Sequence, residues 1–203
     1  MIKMTLSGVC MFIVVGLVGC VPTRSAYYRI SSPTGEIAGG CGTIGKSSSL
    51  TFTRGDVKFW IHEIFRMENQ ATLEMSIFVP KEDKVELDWS QLQAINDQTG
   101  NPVSSEPFEV FVSTVSNDAP LSALRHGSMK LQPGVVLDGD RYPFPVGEGV
   151  YSSYDIVLKN FPMESTPAFD LRIPDMTVNG TPYPGFVVHY QMTTSFWLEP
   201  VNC

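Results

Sequence analysis

Residues 72–79 read TLEMSIFV, and in this stretch strongly apolar side chains alternate with other residues. Leu73, Met75, Ile77 and Val79 occupy every second position. The side chains of a β-strand point alternately to its two faces, so this spacing gathers the four apolar side chains on one face. The stretch therefore predicts a β-strand with one buried face, which is typical of an antiparallel sheet.

Similar signals recur along the chain, and turn residues separate them, with 17 glycines and 15 prolines in total. The Asn179-Gly180 pair predicts a tight hairpin turn. Residues 90–95, with Asp88 as their cap, and residues 121–125 predict no more than a helical turn or two each. Further apolar or alternating stretches cover residues 57–67, 85–89, 109–115, 129–131, 135–137, 153–158, 169–173 and 186–198.

Many short strands with little helix predict an all-β protein. The chain shows no internal repeat and no linker between domains. We therefore expect one antiparallel immunoglobulin-like β-sandwich over residues 41–203, preceded by two segments of a different kind.

The first of these segments has the features of an export signal. Lys3 supplies a positive charge, and residues 4–18 form an uncharged, mostly apolar run. This run is shorter than the roughly 20 apolar residues that a membrane-spanning helix needs. A basic start, a short apolar segment and a small residue at its end predict a signal peptide.

The end of the apolar run, Leu17-Val18-Gly19-Cys20, resembles the lipobox of bacterial lipoprotein precursors. The resemblance implies that residues 1–19 are a signal peptide that is removed. It also implies that Cys20 carries a diacylglyceryl group and a further fatty-acyl chain such as palmitate, which would anchor the protein to a membrane. The alternative is an ordinary secretory signal with a chance cysteine.

The same resemblance bears on location and on the start of the folded body. In lipoproteins of Gram-negative bacteria, an Asp after the lipidated cysteine favours the inner membrane. Val21 occupies this position here, which implies the outer membrane, on its periplasmic or surface face, if the source is Gram-negative. Residues 20–40 are rich in Gly, Ser and Pro near both ends, and we expect a lipid-attached tether with a brief strand around residues 27–30.

Two cysteines remain once Cys10 is assigned to the signal peptide and Cys20 to the lipid. They are Cys41 and Cys203, and two cysteines in an oxidising compartment predict one disulfide. The bond would close a loop of about 160 residues and stabilise the fold by up to about 5 kcal/mol. A metal site is the rival interpretation, but these cysteines lack C-x-x-C spacing and a nearby histidine.

Composition argues against nucleic acid as a partner. The formal net charge is −7, and removal of Lys3 with the signal peptide makes the mature chain more acidic still. Such a surface repels phosphate backbones and anionic lipids, and its simplest role is to keep the protein soluble.

Residues 40–47, GCGTIGKS, match the nucleotide-binding pattern G-x-x-x-x-G-K-[ST]. That loop requires a buried strand before it and a helix that begins at the Lys. The preceding SSPTGEIAG is no buried strand, and the following SSSLTFTRGD is polar and β-like. We therefore expect no nucleotide binding.

No local arrangement of residues predicts a catalytic, cofactor-binding or metal site. His62, His126 and His189 are far apart in sequence, and no G-x-S-x-G or S-x-x-K motif occurs. Asp138-Gly139-Asp140 is similar to part of a calcium loop, but a hairpin turn explains it more simply. The remaining enzymatic hypothesis is an envelope hydrolase or metal-dependent enzyme whose site is assembled from distant loops, with candidate residues His126, Asp138, Asp140 and Glu148.

Aromatic residues give the only other functional hint. They lie in predicted strands, where they either fill the core or form an exposed platform for sugar or peptide; they are Phe59, Trp60, Trp89, Tyr190, Phe196 and Trp197. The sequence thus favours a membrane-anchored, non-catalytic binding, scaffolding or assembly module of the cell envelope, with an envelope protein or glycan as its partner.

Overall fold

A computed structural model describes residues 22–39, 47–62, 64–65, 71–103, 108–113, 125–161 and 166–198. Within these residues the regular elements are β-strands, apart from one short 3-10 turn at Trp89–Gln91. Every pairing between them is antiparallel. The prediction of an all-β, antiparallel protein is confirmed.

The strands form three sheets, and the first, here called the terminal sheet, contains both the first and the last strand. Its order is β5 (Ile64–Phe65), β1 (Pro22–Ser31), β17 (Phe186–Leu198), β14 (Ala168–Ile173) and β8 (Gln93–Asn96).

The large sheet is the second, and it is curled. Its order is β10 (Arg125–Lys130), β9 (Glu109–Ser113), β13 (Gly149–Phe161), β6 (Ala71–Pro80), β4 (Val57–His62), β3 (Ser47–Arg54) and β2 (Glu36–Gly39), and β12 (Phe144–Val146) also pairs with β13. The small sheet comprises β11 (Val136–Asp138), β7 (Lys84–Leu87), β15 (Met176–Val178) and β16 (Thr181–Tyr183).

The alternating stretch at residues 72–79 lies in β6, near the middle of the large sheet. Its four predicted inward-facing side chains are all buried, and so are the alternate residues of the neighbouring β4. Burying one such side chain stabilises a fold by about 1.5–3 kcal/mol, so this inner face is the main contribution of the large sheet to the core. The buried residues are Leu73, Met75, Ile77 and Val79 of β6 and Val57, Phe59 and Ile61 of β4.

An aromatic cluster fills the inner face of the terminal sheet. The rings of Phe169 and Tyr190 stack with centroids 4.5 Å apart, and the ring of Tyr28 meets the Phe169 ring edge-on at 5.3 Å. The Tyr28 hydroxyl donates a hydrogen bond to the carbonyl oxygen of Thr166, and burial raises the pKa of Tyr28 to about 12. The Tyr190 hydroxyl donates to the carbonyl oxygen of His62 at 3.4 Å. The cluster therefore ties β1, β14 and β17 together, and both of its hydroxyl groups have a hydrogen-bond partner.

Phenylalanine side chains join the terminal sheet to the large sheet. The ring of Phe186, in β17, stacks on that of Phe52, in β3, with centroids 4.0 Å apart. It also meets the ring of Phe59, in β4, edge-on at 5.3 Å. The two sheets therefore share one core, into which these aromatic residues are buried.

Two strands within residues 22–39 of the predicted tether belong to the sheets. The strand expected around residues 27–30 extends over Pro22–Ser31, and β2 follows it. Tyr28 and Ile30 are buried. The folded body thus begins by Pro22 rather than at residue 41, because β1 pairs with β17 along the whole length of β1. Local composition does not reveal a pairing with such a distant strand. The immunoglobulin-like arrangement stays a prediction, since the strands are distributed over three sheets.

Two local signals are confirmed. Asn179 and Gly180 have φ angles of 52° and 78°, as a tight hairpin turn between β15 and β16 requires. Asp88 caps the 3-10 turn, and its Oδ1 accepts a hydrogen bond of 3.1 Å from the Ser90 amide. The turn is shorter than the predicted one, and β8 begins at Gln93.

The turn after β11 is packed tightly against the end of β6. The Gly139 amide donates to the carbonyl oxygen of Asp83 at 2.8 Å, and the Ser152 hydroxyl donates to the Gly139 carbonyl oxygen at 2.7 Å. A Cβ atom at position 139 would lie 1.7 Å from the carbonyl oxygen of Pro80. This position therefore accepts glycine alone without backbone movement.

We predict that Gly139→Ala lowers the free energy of unfolding by about 2–3 kcal/mol, because the added methyl group forces backbone apart. The control is Gly147→Ala, where no atom lies within 4 Å and only the φ of 58° opposes alanine. That change should remove about 1 kcal/mol. Urea denaturation of both variants measures the difference, and equal losses would contradict the packing described.

Candidate functional site

The outer face of the large sheet carries side chains that the core does not use. In β4 the residues that alternate with the buried ones are Lys58, Trp60 and His62. In β6 the corresponding positions include Ser76 and Phe78. Because strand residues alternate between faces, the register that buries the inner residues also turns this second set outwards.

Three aromatic rings from three neighbouring strands form a row on this outer face. Trp60 of β4 lies 6.3 Å from Phe78 of β6, and Phe78 lies 6.5 Å from Tyr151 of β13, measured between ring centroids. Trp60 is 41% exposed, although it sits in the middle of a sheet. A large aromatic side chain displayed in this way indicates a binding surface.

The row lies in an open groove of about 270 Å³. We call it the aromatic groove; its lining residues are Thr51, Lys58, Trp60, Phe78, Val146 and Tyr151. Lys58 Nζ lies 5.2 Å from the centroid of the Tyr151 ring, within the range of a cation–π contact. The Phe78 and Tyr151 rings are nearly perpendicular, with an angle of 88° between their planes.

Polar side chains flank the Trp60 side of the groove. The ring centroid of His62 lies 5.0 Å from that of Trp60. Burial lowers the pKa of His62, while the carboxylates of Glu74 and Asp155 act in the opposite direction. Because the net shift is downwards, the imidazole is mainly neutral at pH 7. Asp155 Oδ1 also accepts a hydrogen bond of 2.8 Å from the Ser76 hydroxyl, so this flank supplies polar groups in fixed positions.

The aromatic residues singled out in the sequence divide between core and surface. Phe59 and Tyr190 are core residues, and Trp89 is buried with its Nε1 donating to the carbonyl oxygen of Val135 at 2.7 Å. Trp60 alone among the described members of that set is exposed. Phe196 and Trp197 lie in β17, but their side chains are outside the described part of the structure.

Sequence reasoning missed Phe78 and Tyr151 as site residues. Phe78 carries a signal, because in residues 72–79 it is the one aromatic side chain at an outward position. Tyr151 carries none, since its place beside Phe78 depends on the register between β13 and β6.

The residues of the enzymatic hypothesis serve as turn acceptors where they are described. Asp138 Oδ1 accepts from the Asp140 amide at 3.0 Å, and Asp140 Oδ1 accepts from the Glu82 amide at 3.3 Å. Glu148 is exposed in the turn before β13. The backbone of His126 lies in β10, but its side chain is not among those described. Within the described ranges, no group of three or more His, Cys, Asp or Glu side chains is placed to hold a metal ion.

The covalent sites predicted from the sequence stay predictions. Cys20, Cys41 and Cys203 all lie outside the described residues, and so do residues 40–46 of the nucleotide-binding pattern.

A wider cleft of about 730 Å³ opens beside the small sheet. Two of its acidic side chains stabilise local structure, because Asp88 caps the 3-10 turn and Asp175 Oδ1 accepts from the Gly185 amide at 2.7 Å. This cleft shows no row of exposed rings, so the aromatic groove is the stronger candidate.

Comparison with protein-family models, with curated proteins and with solved structures found no match to this chain. Over the described ranges, the structure contains no helix of the length and apolar character needed to span a membrane.

We predict opposite outcomes for two adjacent residues of β4. Phe59→Ala should lower the free energy of unfolding by about 3–5 kcal/mol, because it opens a cavity in the core. Trp60→Ala should change it by about 1 kcal/mol or less, because the side chain lies on the surface. Urea denaturation followed by circular dichroism measures both, and a loss at Trp60 as large as at Phe59 would place Trp60 in the core instead.

Proposed function

We propose that this protein is a lipid-anchored, non-catalytic binding module of the bacterial cell envelope, and that the aromatic groove is its partner surface. The observation that carries the proposal is the row of Trp60, Phe78 and Tyr151 on the outer face of the large sheet. These rings add nothing to the inner face, which is already filled by other side chains of the same strands. Binding of a partner explains why these rings lie on the surface, whereas core packing does not.

The lipoprotein part of the proposal rests on residues 1–20. Two acyl chains anchor a protein stably, whereas one chain holds it only marginally, so a diacylated Cys20 would suffice as an anchor. If the source is Gram-negative, Val21 supports an outer-membrane location. The contacts of Phe186 with Phe52 and Phe59 support a face-to-face packing of two sheets, as in the immunoglobulin-like sandwich that we propose for the body.

The position of β1 makes the anchor short. Pro22, where β1 begins, is two residues after Cys20, and two extended residues span at most about 7 Å. Because β1 is hydrogen-bonded to β17 from its first residue, little free chain would separate the lipid from the folded body. Acylation would therefore hold the Pro22 end of the terminal sheet close to the membrane surface.

The aromatic groove lies near the opposite end of β17. Pro22 pairs with Leu198, the last residue of β17, and Phe186 is its first residue. Phe186 contacts Phe59, the neighbour of both Lys58 and Trp60 in β4. A strand rises about 3.3 Å per residue, so about 40 Å of β17 separates the level of the groove from the lipid-bearing end. This arrangement suits a module that presents its binding surface away from the membrane that holds it.

We predict that Cys20→Ser abolishes incorporation of labelled palmitate and moves the protein from the membrane fraction to the soluble fraction. Cys41→Ser and Cys203→Ser are the controls, and both should keep the label because they leave the lipobox intact. Trp60→Ala should also remain membrane-bound, because the groove and the anchor are separate. Palmitate labelling and fractionation of the four variants measure this, and Cys20→Ser protein that remains labelled would refute the anchor.

A further inference from the structure

We propose that the aromatic groove binds an uncharged polysaccharide of the cell wall. This inference rests on the proposed function and names the chemical class of its partner.

The four main strands beneath the groove are paired on both sides, and only β12, which contributes Val146, pairs with a single described strand. In the large sheet β3 lies between β2 and β4, β4 between β3 and β6, β6 between β4 and β13, and β13 between β6 and β9. A peptide that binds by strand addition needs an open edge, because its affinity comes from main-chain hydrogen bonds. The four main strands cannot supply these bonds, and β12 is only 3 residues long, so we expect recognition to come mainly from side chains.

The side chains in the groove suit a ligand that is apolar on one face and polar at its rim. Trp60, Phe78 and Tyr151 follow one another at 6.3 and 6.5 Å, which makes an elongated strip of rings rather than a closed pocket. Tryptophan and tyrosine combine a broad apolar surface with a polar group at one end. A pyranose ring has the matching form, with C–H groups on its faces and hydroxyl groups at its edge.

Polar atoms border the strip on both sides. Thr51, Lys58 and Tyr151 all line the groove itself. The hydrogen-bonded pair of Ser76 and Asp155 lies on the His62 flank. Hydroxyl, ammonium and carboxylate groups can donate to or accept from sugar hydroxyls. An extended sugar chain would thus meet apolar faces and polar partners along the same line.

Charge selects among polysaccharides. Among the described residues, Lys58 is the one charged residue that lines the groove. The chain as a whole has a formal net charge of −7, and the carboxylates of Glu74 and Asp155 act on His62 beside the groove. An anionic polymer longer than the groove would be attracted to Lys58 alone and repelled by the net negative charge of the protein, whereas an uncharged polymer would not be repelled. The expected ligand is therefore uncharged.

The test is calorimetric titration of the mature lipoprotein, solubilised in detergent, with a β-1,4-linked N-acetylglucosamine tetramer, with cellotetraose and with the acidic tetramer of galacturonic acid. We expect at least one uncharged tetramer to bind and the acidic tetramer not to bind. Trp60→Ala should weaken that binding about tenfold, because one stacking surface is lost. Tyr142→Ala is the matched control, because Tyr142 is a similarly exposed aromatic residue (42%) that does not line the groove, and it should leave the affinity unchanged.

Three results would overturn the inference: no uncharged tetramer binds at millimolar concentration, Trp60→Ala binds as the unchanged protein does, or the acidic tetramer binds best. A photoreactive amino acid at position 146 in living cells covers the other class of partner. Crosslinks from this position to a protein alone would also overturn the polysaccharide. None of these results bears on palmitate labelling at Cys20, so failure here is separable from failure of the proposed anchor.

Discussion

The long pairing of β1 with β17 determines how the other parts of this structure are arranged. The ladder runs from Pro22 opposite Leu198 to Ser31 opposite His189, so the two ends of the described chain lie side by side. Tyr28, Tyr190 and Phe169 close over its inner face and leave no ring face of Tyr28 in water. This ladder places Pro22 beside the last residue of β17. Phe186, which contacts the large sheet, is the first residue of the same strand.

The large sheet uses the same alternation for two purposes. Its inward residues build the core, and its outward residues in β4, β6 and β13 build the aromatic groove. A slip of one residue in β4 would exchange Phe59 with Trp60, burying the groove and exposing the core. The stability of the inner face therefore keeps the outer rings in position, and no separate scaffold is needed for the site.

The sequence allowed the local elements to be predicted better than their partners. The alternation of residues 72–79 and the Asn179-Gly180 turn were sufficient for β6 and its buried face and for the β15–β16 hairpin, because both signals depend on near neighbours. The partner of β1 was not predictable in this way, since more than 150 residues separate it from β17 and the Gly, Ser and Pro around it indicated a tether. The groove was missed for the same reason: Trp60 was a candidate, but its union with Phe78 and Tyr151 depends on the register between three strands.

In the arrangement that we propose, a lipid at Cys20 holds the β1–β17 end at the membrane and the aromatic groove far from it. The most direct test is energy transfer to an acceptor on the bilayer surface from a fluorophore placed at position 146 or 194 of the lipidated protein. Thr194 pairs with Ala26, about 13 Å of strand from Leu198, whereas Val146 lines the groove. We predict strong transfer from position 194 and weak transfer from position 146. Equal transfer from both positions would contradict the proposed orientation on the membrane.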